Sequence, residues 1–357
     1  MTYRTDLLAR FSGHAGTTRL YMPDLTLWYN WHRGRGTLPP SRQEMSLPQV
    51  ARAMGVPIWL PVQPWRVETP GVRVETTEDE GSRTTTWQTP AGTLTSRWIT
   101  GPDGDWWQTE HPVKSAADLE AALAFARART YVLDDTDLAA QAAEVGQDGL
   151  LALSIPRRPY SDLLHDYLGW GEGLYYLAEP EIAEILAALE GALDRLVEQV
   201  AALPGDVILS PDNLDGQYIS PRAFEQHLSA GYSRTAETAH RHAKSLIVHV
   251  GGPVRHLLAP LAACGIDVIE GIAGPPQGDA DLAEARRLAG PNLALWGGIS
   301  QDLLLPTHDQ AAFETAIAQA ARQAVTDPRI LIGIADRVPV DADLERLRAI
   351  PQLIAQA

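Results

Sequence analysis

The sequence predicts a (β/α)8 barrel, the TIM-barrel class of α/β fold, preceded by an excursion into an antiparallel β-meander. Three observations point there. After His111-Pro112, short apolar runs alternate with amphipathic helical stretches, the pattern of parallel strands joined by right-handed crossovers. Six such runs follow from Gly149 onward, and candidates at 131–133 and 58–62 bring the number to eight. No GxGxxG or GxxxxGK[ST] follows any run, so an open nucleotide-binding sheet has no support.

In chain order, the first third gathers Trp28, Tyr29, Trp31 and His32 before the loop RGRGTLPP. Such a group either lines a pocket or caps a core. Residues 58–110 then read as strand and turn: VRVE at 72–75, TTTWQ at 84–88, TLTSRWI at 93–99 and WWQT at 106–109 alternate with polar residues, as half-exposed antiparallel sheets do. The chain is expected to be a single domain over 1–357, with 58–110 an inserted lid or dimer contact and 111–357 the main part of the barrel.

Helix 118–128 is set by Leu119, Leu123 and Ala126, and strand 149–154 by the run GLLALS. Helix 181–203 carries Ile182, Ile185, Leu189, Leu193 and Leu196 on one side. Strand 207–210 leads to helix 221–243, with Ser220 as N-cap and Pro221 in the first turn. Strand 246–250 leads to helix 254–263, with Leu257, Leu258 and Leu261 inward and Gly265 at its exit. Strand 266–269 precedes helix 281–289, whose early acids and late arginines suit the helix dipole. Strand 293–296, a helix 310–325 started by the box Thr307-x-x-Gln310, strand 330–334 and helix 342–349 complete the series.

The 357 residues are 45 % apolar and 21 % charged, an ordinary globular composition. The net charge of −16, from 45 acidic and 29 basic residues without a basic run, argues against nucleic acid as a partner. One cysteine, Cys264, excludes a disulfide framework and a thiolate-only metal cage. MTYRTDLLARF lacks the apolar stretch of a secretory signal and no window reaches eighteen apolar residues, so a cytoplasmic protein with no membrane partner is expected.

In a barrel the chemistry lies where the strands end. That rim offers Ser154 with Arg157 and Arg158 beyond it, then Asp212, Asn213 and Asp215, then His249, Glu270 and Trp296, and lastly Asp336 with Arg337. His249 and Glu270 end consecutive strands, which brings them side by side. Together they make a metal half-site, a general acid/base pair or a structural ion pair. Asp212 and Asn213 suit a substrate amine or a water, or form an Asx-type turn. Arg157 and Arg158 match the fork geometry of an anionic substrate's carboxylate, or are a solvated pair. Trp296 and Tyr218 are the aromatic candidates for a cofactor's face.

The runs SPDNLDGQYISPRAF, LIVHVGG, LAACGIDVIEGIAGPPQGD and DLAEARRLAGPNLALWGG, in this order over residues 150–350, resemble the uroporphyrinogen decarboxylase superfamily. It contains haem-pathway decarboxylases and zinc-dependent methyltransferases that serve corrinoid proteins. The resemblance implies the barrel with its cleft at the strand ends. It implies a methyltransferase zinc site drawn from His249, the acidic residue Glu270 and two cysteines, one in His-x-Cys and one near the last strand. Here those places hold His249-Val250-Gly251 and Ile332-Gly333-Ile334, so both thiolates are missing. A site of His249 and Glu270 completed by Asp336, Asp212 or another histidine would hold a harder or more weakly bound divalent ion than zinc on thiolates. The decarboxylases' Arg-Gln-Ala-Gly-Arg and Phe-Ser-Asp-Ile stretches are absent, and Asn213 stands where they carry an Asp.

Three functions follow as expectations: a corrinoid-linked methyltransferase with an altered metal site, a decarboxylase of an anionic tetrapyrrole or aromatic acid, and a ligand-binding barrel without catalysis. A corrinoid protein and a homodimer through the meander's edges are the expected partners beside a small anionic substrate.

Overall fold

The computed structural model describes residues 2–14, 19–101 and 106–357. The chain divides into two units. One comprises Met1–Val62, Thr136–Ser154 and Leu203–Ala357; the other comprises Gln63–Asp135 and Ile155–Ala202.

The first unit is built on seven parallel strands in the order Ile58–Val62, Gly149–Ser154, Val207–Leu214, Ser245–Val250, Val268–Ile272, Ala294–Ser300 and Ile330–Ala335. Their composition requires cover on both faces, because nearly every position is apolar and buried. One face turns inward: Trp59, Leu150, Val207, Ile247, Val268, Trp296 and Leu331, one from each strand, meet in a single core cluster. A sheet whose one face meets itself is curled. Trp59 and Trp296 touch edge to face across this interior, with ring centroids 4.9 Å apart. Helix Tyr3–Phe11 sends Leu7 and Phe11 into the same cluster, and Arg10 Nη1 donates to the carbonyl oxygens of Pro328 and Ile330 where the last strand begins.

The eighth place is not taken by the residues expected there. Residues 130–133 pair antiparallel with Trp65–Glu68 in the second unit. Instead Tyr21 bridges Ile332 in parallel, with Ile332 N–H donating to Leu20 O and Met22 N–H to Ile332 O. Leu20 and Met22 join the inward cluster. Among the described residues no ladder joins this segment to Ile58–Val62, so the sheet is barrel-like and open at that seam.

Several element boundaries also move. The strand expected at 207–210 runs on to Leu214, the helix at 221–243 breaks at Leu228 into Pro221–His227 and Ser229–Arg241, and the helix at 254–263 starts only at Leu258. Asp309, not Thr307, caps helix Gln310–Thr326 by accepting from Ala312 N–H.

The second unit holds a four-stranded antiparallel sheet, Arg73–Asp79, Ser82–Thr89, Gly92–Thr100 and Trp106–Glu110 in sequence order. Its core gathers Leu94 with Leu119 and Leu123 of helix Leu119–Ala128, Tyr167, and Ile182 and Ile185 of helix Pro180–Ala201. The edge strand Arg73–Asp79 is exposed throughout and carries Arg73, Glu75, Glu78 and Asp79, charges that oppose edge-to-edge pairing.

Candidate functional site

Strand alternation decides which polar residues reach the interior. Ile247 faces inward, so His249, two residues on, shares its face; Val268 does the same for Glu270. The two lie directly opposite in the ladder. His249 Nδ1 is hydrogen-bonded to Glu270 Oε2, and His249 Nε2 points toward Asp336, 3.9 Å from its Oδ1. Asp336 follows the last strand with φ of +66°, a left-handed backbone that Asp tolerates better than most residues. Arg337 Nε donates to Asp336 Oδ1 at 3.3 Å.

The glycines that follow His249 are there for room. A Cβ on Gly251 would lie 1.6 Å from Asn213 Oδ1, and one on Gly252 would lie 2.7 Å from the Asp215 carboxylate. Asn213 itself has φ of +52°. Its side chain therefore lies beside the end of the His249 strand.

Burial pulls the His249 imidazole down, but the charge and hydrogen bond of Glu270, with Asp336 behind them, outweigh it and raise it to about 9. Burial pushes the Glu270 carboxyl up, His249 draws it back, and the charges of Asp336 and Asp24 add to the rise, to about 7. Glu270 is 7 % exposed, and its Oε1 has no hydrogen-bond partner among the described residues. Asp24 is the member that sequence reasoning missed. It follows the short Leu20–Met22 segment, accepts from Thr26 N–H at 2.8 Å, and burial raises its pKa. Its only signal in the sequence is one acid after three apolar residues and a proline, LYMPD, too short a run to read as a strand.

Other expected site residues lie elsewhere. Val207 and Leu209 pack on the inward cluster, so Ser210 and Asp212 turn outward. There Asp212, fully buried, accepts from Ser210 Oγ at 2.6 Å and from Tyr232 Oη at 2.7 Å on the covering helix. This is a structural role, and Asp212 is withdrawn from the rim. Trp296 is also corrected: it stands in the ladder beside Glu270 but is 1 % exposed, and its Nε1–H donates to Met22 O at 3.0 Å, leaving no open face for a cofactor. Tyr218 is exposed in the turn after Leu214.

Arg157 and Arg158 belong to the second unit and part company. Arg158 is fully buried against Glu190 of helix Pro180–Ala201, which removes it from any substrate clamp. Arg157 pairs with Asp166 at 3.2 Å. The aromatic group near the start divides likewise. Trp28 and Tyr29 are buried, while Trp28 and His32 line a cavity of about 730 Å³ in which both ring nitrogens of His32 are bonded, to Thr37 Oγ1 and Val340 O.

Among the described residues no three His, Cys, Asp or Glu side chains converge to hold a metal ion. Glu270 Oε2 and His249 Nδ1 are spent on each other, and Cys264 is buried with Sγ donating to Pro260 O at 3.3 Å. The expected set of His249, Glu270 and Asp336 therefore does not fit a metal as arranged.

The profile of the uroporphyrinogen decarboxylase (URO-D) family matches residues 173–356. The chain belongs to the uroporphyrinogen decarboxylase family. No curated protein matches it by sequence. Among solved structures, a methyltransferase from Methanosarcina mazei superposes with a TM-score of 0.61 at 14 % identity, over 100 % of this chain and 99 % of that one. At that identity the likeness is one of fold. A D-psicose 3-epimerase solved in the presence of D-fructose, and one from Clostridium cellulolyticum H10 with D-tagatose, each overlap 62 % of this chain and 82 % of theirs, at 14 % and 12 % identity. Their TM-scores of 0.38 say nothing about chemistry here. Among the described residues no helix is long and apolar enough to cross a membrane.

Proposed function

We propose that this URO-D family member is an enzyme in which His249, as an imidazolium held by Glu270, donates a proton from Nε2 during decarboxylation of a small organic acid. The observation that carries this reading is the His249–Glu270 pair at adjacent strand ends, with Nδ1 engaged and Nε2 turned to Asp336. Glu270 fixes the ring and stabilises its charged form, so an acid is ready at neutral pH. In the step, the bond to the carboxyl carbon breaks and CO2 leaves. The electron pair left on the substrate carbon takes the Nε2 proton, and solvent reprotonates His249. Carboxylates at Glu270, Asp336 and Asp24 disfavour a charged carboxylate more than neutral CO2, and Arg337 supplies a cation at the same rim. The scaffold follows the same reading, with residues 20–22 serving as the eighth stave of a (β/α)8 barrel.

A second reading, methyl transfer to a corrinoid, is favoured by the acidic wall, which suits a methylated ammonium donor better than an acid. The donor nitrogen would leave as a neutral amine as the corrinoid takes the methyl group, and His249 would then protonate that amine. Neither reading uses a metal held by this chain's own residues. The test is turnover in D2O with panels of carboxylic acids and of methylated amines plus reduced corrinoid. CO2 release with one deuterium at the product carbon supports decarboxylation. Methylated corrinoid without CO2 supports the second reading, and turnover unaffected by His249→Asn defeats both.

A further inference from the structure

The four-stranded sheet of the second unit has a face that the rim chemistry does not use. Period-two alternation puts Arg83, Thr85 and Trp87 of one strand on the same side as Leu94, Ser96 and Trp98 of the next. Register pairs Thr85 with Ser96, and Trp98 with both Arg83 and Gln108. Phe125 of helix Leu119–Ala128 packs against Trp87 at 5.4 Å, and Tyr167 lies 5.9 Å beyond it. What remains between them is a cavity of about 480 Å³ formed wholly by residues of this unit, within the size range of small-molecule sites.

Its lining is aromatic on its walls and polar at chosen points. Ser96 is 1 % exposed and its Oγ has no hydrogen-bond partner among the described residues. The same holds for two further buried atoms at the cavity, Gln108 Oε1 and Arg157 Nε. A buried polar atom without a partner destabilises the folded state, a cost that a ligand's complementary group would recover. Three guanidiniums line the cavity, those of Arg83, Arg129 and Arg157, against one lining carboxylate, Asp166. Asp166 holds Arg157 by Nη1 and leaves its Nε turned elsewhere; Arg129 is held by Asp162 at 2.6 Å. Arg83 lies over the rings of Trp98 and Trp106, at 5.7 and 4.9 Å.

We propose that this cavity binds a planar aromatic carboxylate that bears a hydroxyl group. The ring packs among Trp87, Trp98, Phe125 and Tyr167. The carboxylate accepts from Arg157 Nε and meets the positive excess, and the hydroxyl donates to Gln108 Oε1 or exchanges with Ser96 Oγ. The claim stands apart from the His249 reading, since it uses no residue of the first unit.

Titration calorimetry of the full chain with 2-, 3- and 4-hydroxybenzoate and with benzoate tests it. Saturable one-to-one binding is expected for at least one hydroxybenzoate, with benzoate weaker. Arg157→Gln and Ser96→Ala should each weaken that binding, the first by roughly tenfold or more, while His249→Asn leaves it unchanged. No saturation by any of the three hydroxybenzoates at millimolar concentration overturns the proposal. So does binding indifferent to both variants, or binding lost in His249→Asn. Should Arg157→Gln melt far below the parent protein, Ser96→Ala alone decides.

Discussion

Two buried carboxylates in the same parallel sheet are treated in opposite ways. Asp212, near the end of Val207–Leu214, faces outward under a helix and receives hydroxyls from Ser210 and Tyr232. Glu270, on Val268–Ile272, faces inward and receives one imidazole on Oε2, with no partner for Oε1. Burial is nearly the same, 0 % against 7 % exposed. The first acid is fitted into the packing; the second keeps an unmet bond, and burial, with two acidic neighbours behind it, raises its pKa. Shifted and unsatisfied groups of this kind gather where chemistry is done, and satisfied ones where the fold is held.

The largest expected effect separates the two directly. His249→Asn removes the proposed proton donor, and turnover per folded molecule should fall by about 10²–10⁴-fold. Asp212→Ala should do the reverse. It removes the acceptor that the Ser210 and Tyr232 hydroxyls share and costs about 3 kcal/mol in chemical unfolding, while the surviving folded fraction keeps its turnover per molecule. If Asp212→Ala abolished turnover at unchanged stability, the contrast drawn here would be wrong.

This contrast is also where the sequence stops being readable. His249, Glu270 and Asp336 are legible from strand ends alone, because an imidazole and a carboxylate closing consecutive apolar runs have neighbouring places in any parallel sheet. Asp212 shares their rim only if the strand ends at Ser210, where its run of apolar residues stops. Once it continues to Leu214, parity sends Asp212 outward and Asn213 toward the rim. The alternation of the meander was legible for the same reason that its pocket was not: period two shows which side chains share a face, and nothing in one strand shows what covers that face. The Leu20–Met22 segment is not legible because it bonds through a single bridge, too little for any hydrophobic run to declare. Leu257 is buried at 0 % exposure, as its spacing predicts, although it precedes the helix rather than lying in it. Leu257→Ala should cost about 2–5 kcal/mol through the cavity it leaves.

The pair's titration sharpens the comparison further. His249 has a folded pKa raised to about 9, so the stability it contributes is full below the ordinary imidazole value of about 6.5 and is lost as pH rises through 9. Glu270, raised to about 7, works in the same direction: burial favours its protonated form, and stability falls as pH rises from about 4.5 through 7. The folded protein therefore binds more protons than the unfolded chain in this window, and unfolding free energy should decline between pH 5 and 9. Glu270→Gln removes the carboxylate's charge, so the imidazole titration followed by NMR should drop from about 9 toward or below the ordinary value. An imidazole that still titrated near 9 in that variant would assign the rise to Asp336 instead.

The smallest effect belongs to the fitted acid. Tyr232→Phe removes the hydroxyl that donates to Asp212 Oδ2 and keeps the ring stacked on Phe224, whose centroid is 5.9 Å away. Ser210 still donates to the same oxygen, so Asp212 is not stripped of its partners. The loss should be that of one hydrogen bond to a charged group with its packing preserved, about 1.5 kcal/mol, and turnover and its pH profile should be unchanged. Combined with Asp212→Ala, the same substitution should cost less than it does alone, because the bond it removes is already gone. Full additivity in that double variant would mean that the tyrosine hydroxyl acts through a partner other than Asp212, and that the carboxylate beneath it is held by something other than that hydroxyl.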